Sequence, residues 1–502
     1  MTARPDGGLG RGDRAGRRVA LLATVVAAVT LVVVPLVPGA LTTGSPVALL
    51  GLPVETIAVV LLLAAVAGGL PRIVAAGAYG VLVVVAIVVA ALDLGFRATI
   101  DRPFSLVEDG GALVNAFSVV EQSAGPVNAV LLVTLVAALA AAAAVGIALA
   151  ALRVGRVAAG AGWQGRIALV ALAAAWVIGS LTGVQALPGA PLAASRVADA
   201  LGDSSTRVVA SMQERREFER ALASDPLDGV PAEELFTALA GKDVIVAFVE
   251  SYGRVAVEKS GFTDGVARAL EDGEAILDSK GYSAQSAFLT SPTFGGVSWL
   301  AHSTLQSGVW VDSQTKHDRL MSEDRLTLSG AFDLAGWRTV AVVPSNDRPW
   351  EEGTSFYGFD SVLDSRSMGY RGPAFGYARM PDQYTWQVLH DRELSARRGP
   401  VMAELDLVSS HTPWTPLPAL VPWARVGDGA VFASQPAGGE SPVLAWTDPD
   451  RVRELYGRSV EYALTTMFSF LDTYDQPDLV LVVLGDHQPA RIVSGAEADH
   501  DV

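Results

Sequence analysis

Long apolar segments fill the first part of the chain, and short apolar segments separated by polar ones fill the rest. Five of the long segments reach the roughly 20 helical residues that span a bilayer core of ~30 Å. The first segment follows several arginines, as a signal peptide does, but four more spans come after it, so we interpret it as a span. The pattern predicts five transmembrane helices, at about 19–40, 47–70, 73–92, 129–152 and 167–187.

Arginines are distributed asymmetrically around these predicted spans. Five spans place the arginine-rich N-terminus, Arg72 and the 153–166 loop on one side of the membrane, whereas loops 41–46 and 93–128 are neutral or acidic. Basic loops remain in the cytoplasm. We therefore predict a multi-pass cell (plasma) membrane protein with a cytoplasmic N-terminus and an extracellular domain after residue 187.

Glu55 lies inside the second predicted span and Asp93 at the edge of the third. Carboxylates within a membrane can mark proton or ion paths. Polar residues do not recur from span to span, however. We therefore interpret Glu55 as a helix–helix or interfacial contact rather than part of a transport path.

After the spans, the pattern changes to strands that alternate with helices. Helical patterns lie near 263–280 and 449–474, and strand patterns at 243–251, 283–289, 337–344, 401–410 and 479–487. Such alternation predicts an α/β domain with a mostly parallel sheet flanked by helices.

We divide the chain into a membrane domain (1–187), a linker with stalk helices (188–242) and an extracellular domain (243–502). The linker contains a charged helical stretch and then the segment PAEELFTALAG. It is either a solvated linker or an amphipathic stalk at the membrane surface. We favour a linker that packs partly on the following domain.

Composition narrows the possible functions. The chain has 502 residues and a net charge of −16, and its acidic residues are concentrated after residue 187. So acidic a domain is not expected to bind nucleic acid. The sequence contains no cysteine, which excludes disulfides, thiolate metal sites and a cysteine nucleophile.

Candidate functional residues follow three of the predicted strands. Glu250 ends the first, Ser410 and His411 follow a later one, and Asp486 with His487 ends the last. Because functional residues of an α/β sheet collect at the carboxyl ends of its strands, we expect these side chains to lie close together.

A hydroxyl candidate lies between the strands. Gly295 and Gly296 form a turn, and Ser298 follows where a helix is predicted to begin. The positive potential of a helix N-terminus favours an alkoxide and an incoming phosphate there. The alternative is that Ser298 is only a helix N-cap.

Four segments together resemble a known family. They are VESYG (249–253), GGVSWLAHSTLQSG (295–308), SSHTPW (409–414) and LGDH (484–487). They are similar to the alkaline phosphatase/sulfatase superfamily, and most of all to its lipoteichoic acid synthase-like phosphoglycerol transferases, which also carry five spans before an extracellular domain. The chain ends 15 residues after His487, where family members usually continue, so it is either a short member or a fragment.

The resemblance implies a site for one divalent cation, with Mn²⁺ expected first and Mg²⁺ or Zn²⁺ as alternatives. Its implied ligands are Glu250, Asp486, His487 and the nucleophile Ser298. Ser298 lies ten residues before Gly308, where phosphoglycerol transferases usually have Thr; Thr304, Ser303 and Thr293 are alternative nucleophiles. Sulfatases that form formylglycine have Pro and Arg at the positions of Leu300 and His302, so Ser298 is expected to stay unmodified.

The resemblance also implies substrate contacts. His411 would bind the phosphate and act as general acid, and Trp350 would line the headgroup pocket. Glu352 occupies the position of a phosphate-binding Arg, for which Arg348 could substitute. His302 either faces phosphate or packs in its helix. His317, His390 and His500 are interpreted as surface residues.

We therefore predict a metal-dependent transferase or hydrolase that moves a phosphoglycerol-like headgroup from a membrane lipid to an envelope polymer or glycan through a covalent Ser298 intermediate. Two enzymes on the same fold remain alternatives, a sulfuric ester hydrolase and a phosphoethanolamine transferase. The alternative outside enzymes is a non-catalytic envelope protein that binds ligands.

Overall fold

The computed structural model describes residues 11–66, 68–109, 126–227, 229–258, 261–395 and 399–502. The greater part of the predicted acidic loop at 93–128 lies outside these ranges. The chain forms two compact units, the first made of residues 1–97 and 102–212, and the second of residues 98–101 and 213–502.

The first unit is mainly helical. Its helices are α1 (Arg11–Val33), α2 (Val37–Thr43), α3 (Val54–Ala65), α4 (Leu70–Ile100), α5 (Pro126–Gly160), α6 (Gly162–Thr182) and α7 (Arg196–Leu222). Two of these helices, α4 and α7, end at residues assigned to the second unit. The short strands of the first unit are β1 (Leu52–Pro53), β2 (Gln185–Leu187), β3 (Ala190–Pro191) and β4 (Ala193–Ala194). Within the described residues, four helical stretches are long and apolar enough to cross a membrane, namely Gly16–Thr43, Leu70–Ile100, Val127–Gly160 and Gly162–Thr182.

The second predicted span differs from the structure. Its helix, α3, has only 12 residues, so the count of five spanning helices is not confirmed. The helix begins late because Pro53, in an extended conformation, precedes it, and residues 52–53 pair with β4 instead of joining a helix.

The two carboxylates in this region have local partners. Glu55 accepts hydrogen bonds from the backbone N–H groups of Val197 (3.1 Å) and Ala198 (3.0 Å) at the start of α7. Asp93 accepts one from the Phe104 N–H (2.9 Å) and lies 3.4 Å from Arg207. These contacts agree with the prediction of a structural contact for Glu55.

The linker contains both helix and turn. Its charged stretch forms the end of α7, but PAEELFTALAG forms two short 3₁₀ turns rather than an α-helix. Phe218 is buried against Leu300 and Leu320, and Glu219 pairs with Arg319 at 2.9 Å. This end of α7 belongs to the second unit and packs on the rest of that unit.

The second unit is an α/β domain with a five-stranded, entirely parallel sheet in the order β7-β6-β8-β5-β9, which confirms the predicted parallel sheet. Its strands are β5 (Asp243–Val249), β6 (Arg338–Val343), β7 (Ser361–Asp364), β8 (Val401–Leu407) and β9 (Leu479–Gly485). Its helices are α8 (Asp264–Lys280), α9 (Ser298–Ser307), α10 (Gln314–Met321), α11 (Leu328–Leu334), α12 (Glu351–Ser355), α13 (Asp382–Leu389), α14 (Pro442–Ala445), α15 (Pro449–Thr473) and α16 (Arg491–Ser494).

The central strand β5 is buried on both faces because alternate side chains enter two separate hydrophobic cores. Ile245 and Val249 belong to the core that includes residues of α8 and α15. Val246 and Phe248 belong to the core on the opposite face. A strand between two layers of helices needs an unbroken apolar sequence, which is the pattern that β5 has.

The strand predicted at 283–289 was wrong. These residues form no sheet strand, and Phe288 and Leu289 are more than half exposed. Leu289 instead exchanges backbone hydrogen bonds with Val502 (2.8 and 3.0 Å). The apolar residues of this segment are too few to be buried on two faces, so the segment pairs only with the end of the chain.

Candidate active site

A cavity of about 490 Å³ opens at the carboxyl ends of the strands in the second unit. Residues that follow β5, β8 and β9, together with the start of α9, line it. This is the position where an open parallel sheet binds its ligands.

Glu250, Asp486 and His487, hereafter the ligand trio, meet in this cavity. Each offers one ligand atom, and these atoms all lie within 4.8 Å of one another. His487 Nε2 is 3.4 Å from Glu250 Oε1 and 3.6 Å from Asp486 Oδ2. Asp486 and His487 are 1% exposed, so neither side chain is an ordinary surface group.

Strand register explains why residues more than 230 positions apart meet. β5 pairs with β9 so that Val249 faces Gly485, and the next residue of each strand therefore emerges at the same level. Gly485 permits this close approach, because a Cβ atom there would lie 1.9 Å from the Tyr252 carbonyl oxygen.

Hydrogen bonds orient Asp486 and His487. Asp486 Oδ1 accepts from the backbone N–H groups of Ser251 (2.7 Å) and His487 (2.8 Å), which leaves Oδ2 facing the imidazole. His487 Nδ1 donates to the Gln488 carbonyl (2.8 Å). Nε2 is then the nitrogen available to a ligand, the arrangement usual for a metal-binding histidine.

Ser298 joins the ligand trio. Its Oγ lies 3.2 Å from Glu250 Oε2 and 3.2 Å from His487 Nε2. The helix N-cap is Val297, not Ser298, so capping does not account for the hydroxyl. Val297 has φ 61°, an unfavourable conformation for a β-branched residue. Backbone strain of this kind is concentrated at functional sites.

Burial and mutual charge shift the pKa values of the ligand trio. Burial disfavours the charged form of Glu250, but its hydrogen bond and attraction to His487 outweigh burial and lower its pKa. Burial and the nearby Glu250 raise the pKa of Asp486. Burial opposes protonation of His487, but both carboxylates outweigh it and raise its pKa to about 9.

The donors in this cluster fit a divalent cation. Two carboxylates, an imidazole with an available Nε2 and a hydroxyl offer oxygen and nitrogen ligands of the kind that Mn²⁺, Mg²⁺ or Zn²⁺ accepts. Two adjacent buried carboxylates also carry more negative charge than one imidazole can offset.

The alternative hydroxyls have other partners. Thr304 Oγ1 donates to the Leu300 carbonyl (2.8 Å), and Ser303 Oγ to the Trp299 carbonyl (2.5 Å). Thr293 Oγ1 lies 3.4 Å from Ser291 Oγ. Unlike these three, Ser298 contacts two members of the ligand trio, Glu250 and His487.

Of the residues predicted to contact substrate, His411 and Trp350 line the cavity and Arg348 does not. His411 lines the cavity, stacks on Tyr377 with ring centres 3.6 Å apart, and bonds through Nδ1 to the Thr412 carbonyl (2.6 Å). Trp350 also lines it and packs against Tyr357 at 5.2 Å. Arg348 is exposed and is not among the lining residues.

His302 lies in a second group of titratable residues, which we call the His302 cluster and which also contains Glu404 and Asp406. His302 Nδ1 is 3.0 Å from Glu404 Oε1 and 3.6 Å from Asp406 Oδ1, and the imidazole stacks on Phe248. Burial opposes protonation of His302, but Asp406 and Glu404 raise its pKa to about 9. Burial raises the pKa of Asp406 to about 7.

Sequence analysis missed both carboxylates of this cluster. The available signal was the pair Glu404 and Asp406 in AELDL, two acids on the same face of a strand otherwise composed of buried apolar residues. His317 was also misassigned to the surface, since its side chain is 17% exposed and lines the cavity. His390 and His500 are partly buried as well.

Asp382 supports the loop that carries His411, and its burial predicts a pH effect. Its Oδ1 accepts from the Ser409 N–H (2.9 Å), while Oδ2 is buried without a partner. Burial, partly offset by hydrogen bonds from Ser409, raises the pKa of Asp382 from 3.8 to about 7. The folded state thus favours the protonated form, so this contribution to stability is complete below pH ~4 and is lost as the pH rises through about 7.

The variant Asp382→Asn tests this expectation in urea denaturation at pH 5 and pH 8. At about 1.4 kcal/mol per pH unit, the wild-type free energy of unfolding should fall by on the order of 3 kcal/mol more than that of the variant over this interval. Equal losses in the two proteins would show that Asp382 does not titrate in this range.

Comparisons with known proteins give structural similarities only. No family model and no curated protein sequence matches the chain. It is similar to the lipoteichoic acid synthase LtaP from Listeria monocytogenes, with 15% identity and a TM-score of 0.33, over 51% of this chain and 60% of that one. The chain thus spans less than two thirds of the length of that structure.

Two further similarities are to transferases. The Streptococcus pyogenes phosphoglycerol transferase GacH, in complex with sn-glycerol-1-phosphate, matches with 14% identity and a TM-score of 0.35, over 55% of this chain and 67% of that one. The lipooligosaccharide phosphoethanolamine transferase A of Neisseria meningitidis, an integral membrane protein, matches with 12% identity and a TM-score of 0.41, over 89% of this chain and 81% of that one.

Proposed function

We propose that this chain is a metal-dependent transferase that moves a phosphorylated headgroup from a membrane lipid to a hydroxyl group of an envelope polymer or glycan. The observation that carries the proposal is the position of Ser298, whose Oγ lies 3.2 Å from both Glu250 and His487. A nucleophile beside three candidate cation ligands is the arrangement expected for phosphoryl transfer through a covalent intermediate.

Ser298 carries the group between two alcohols. In the first step its hydroxyl loses a proton, and Oγ forms a bond to phosphorus. The bond from phosphorus to the diacylglycerol oxygen breaks, and that oxygen takes up a proton. In the second step the acceptor hydroxyl loses a proton, attacks the same phosphorus and displaces Ser298, which regains its proton.

The ligand trio supports the first step. A divalent cation held by Glu250, Asp486 and His487, with Mn²⁺ expected first, would lower the pKa of the Ser298 hydroxyl and offset charge on the phosphoryl group. The Gln488 carbonyl keeps the His487 proton on Nδ1, so that Nε2 stays available.

His411 is the candidate general acid for the leaving alcohol. Its bond to the Thr412 carbonyl places a proton on Nδ1. As a general acid His411 would therefore be doubly protonated, and Nε2 would donate the second proton to the leaving oxygen. Stacking on Tyr377 fixes the plane of the ring at the cavity wall. A positioned imidazole of this kind contributes typically 10²–10⁴-fold to the rate.

The membrane region favours a lipid donor. Four stretches of the described chain are long and apolar enough to cross a bilayer, and tethering a site to the membrane raises the effective concentration of lipid substrates. The arginine distribution supports a cytoplasmic N-terminus. A reaction outside the cytoplasm then requires an odd number of crossings, so the proposal includes a crossing by the short apolar helix α3 (Val54–Ala65) in addition to the four longer stretches.

Peptide mass spectrometry tests the covalent step. The full chain in detergent is incubated with Mn²⁺ and phosphatidylglycerol, without an acceptor, and then digested. We expect a glycerophosphoryl group on the peptide that contains Ser298. A parallel reaction with phosphatidylethanolamine, where the adduct would be phosphoethanolamine, distinguishes the two headgroups.

Two variants serve as controls. Ser298→Ala should lose the adduct, whereas Ser303→Ala, the same change five residues further along α9, should keep it. An adduct on another residue would overturn the role of Ser298. The absence of any adduct and of any released diacylglycerol would favour a non-catalytic binding protein.

A further inference from the structure

Carboxylates are concentrated in the cavity that holds the ligand trio. Five carboxylates line it, and none of the described lining residues is Lys or Arg. They are Glu250, Glu352, Glu404, Asp406 and Asp486. A single divalent cation at the ligand trio would compensate two of these five charges, and an anionic phosphodiester entering the cavity would add another. Among the described lining residues, the groups that could carry positive charge besides that cation are the imidazoles of His302, His317, His411 and His487.

The His302 cluster offers ligands for a second cation. One atom each from His302, Glu404 and Asp406 lies within 4.8 Å of the others, and the shortest separation is 3.0 Å, between His302 Nδ1 and Glu404 Oε1. Glu404 is 4% exposed. An imidazole and two carboxylates, with water completing the shell, suit Mn²⁺ or Zn²⁺.

Asp406 provides an independent indication of a missing partner. Its Oδ1 atom is buried and accepts no hydrogen bond, and the closest imidazole nitrogen is 3.6 Å away. A buried carboxylate oxygen without a partner costs free energy, so such an atom commonly marks an ion or water site. The same oxygen lies 3.6 Å from His302 Nδ1, on the side of Asp406 that faces the cluster.

Neighbouring residues hold the cluster in place. Glu404 and Asp406 are two residues apart on β8 and so lie on one face of the sheet. Gln306 donates to Glu404 Oε2 (2.5 Å), which leaves Oε1 for the cluster. Gln306 Oε1 in turn accepts from the Ser329 N–H (3.0 Å) and hydroxyl (3.0 Å). Support of this kind is typical of metal ligands.

From these observations we infer that His302, Glu404 and Asp406 form a second divalent-cation site in the active-site cavity, separate from the one at the ligand trio. This second cation offsets charge on the phosphate or on the acceptor hydroxyl. That use rests on the proposed function, whereas the site itself rests on the geometry alone.

Metal stoichiometry tests the inference without substrate. The full chain in detergent is stripped with a chelator, dialysed against Mn²⁺ and analysed for bound metal by mass spectrometry. We expect two Mn²⁺ ions per chain. Asp406→Asn and His302→Gln should each reduce the number to one, as should Asp486→Asn at the other site.

Glu352→Gln is the matched control, because Glu352 lines the cavity but belongs to neither group of ligands; it should keep two ions. Circular dichroism shows whether each variant is folded. Because the cluster is tested with two variants, Asp406→Asn and His302→Gln, the inference can still be tested if one of them does not fold. A single ion in the wild type, or two ions in both cluster variants, would overturn the inference. Two ions in a protein that transfers no headgroup would instead contradict the proposed function.

Discussion

Replacing Ser298 by alanine should lower kcat for headgroup transfer by at least about 10³-fold, because it removes the proposed nucleophile. The side chain is half-buried and its hydroxyl contacts Glu250 and His487, so the loss should affect chemistry more than folding. Release of diacylglycerol from a fluorescent phosphatidylglycerol measures kcat directly.

The variant Ser298→Thr is the informative control for this prediction. It keeps a hydroxyl at the same helix start and should retain activity within about tenfold of the wild type, as the same nucleophile type remains. If Ser298→Ala remained as active as Ser298→Thr, the nucleophile would have to be another residue.

Replacing Asp486 by asparagine should abolish cation binding at the ligand trio and lower transfer by about 10³-fold or more. Asparagine keeps the oxygen that accepts hydrogen bonds from Ser251 and His487, but it replaces Oδ2, the atom facing the imidazole, by an NH₂ group that cannot bind a cation. The substitution therefore removes a ligand with little change in the surrounding backbone.

Bound metal and kcat should be measured on the same preparation of this variant. Loss of one ion together with activity is the expected result. Wild-type metal content in Asp486→Asn would show that Asp486 is not a ligand, and unchanged activity would show that its cation is not needed for transfer.

The ligand trio could be predicted because its residues come directly after strands that are recognisable in the sequence. Each of β5 and β9 is an apolar run that ends at a polar residue, and parallel strands bring such ends together. The sequence thus indicated that Glu250 and the pair Asp486 and His487 are neighbours. The register of β5 on β9 places them at the same level.

The His302 cluster could not be predicted in the same way. His302 and Glu404 are about a hundred positions apart, and their contact depends on how α9 crosses the end of the sheet. Nothing in the sequence near either residue specifies that packing. The positive φ of Val297 likewise follows from the tertiary structure, because a valine does not favour this conformation by itself.

The hydropathy pattern also predicted one helix that is too long and one strand that does not form. The apolar segment at 47–70 satisfied the length required of a span, yet its helix has 12 residues because Pro53 and the pairing of β1 with β4 precede it. The segment at 283–289 had strand-like composition but found no neighbouring strand in the sheet. In the first case a proline, which is a local signal, and the pairing of β1 with β4 both shortened the helix. In the second case the tertiary environment, rather than local preference, decided the result.

Anomalous X-ray diffraction at the manganese edge, from crystals soaked in Mn²⁺, tests the central claim most directly. The account predicts a manganese peak within bonding distance of Glu250, Asp486 and His487, with Ser298 Oγ directed at the same ion. A manganese-bound protein with no peak there, or with Ser298 turned away from the ion, would contradict it.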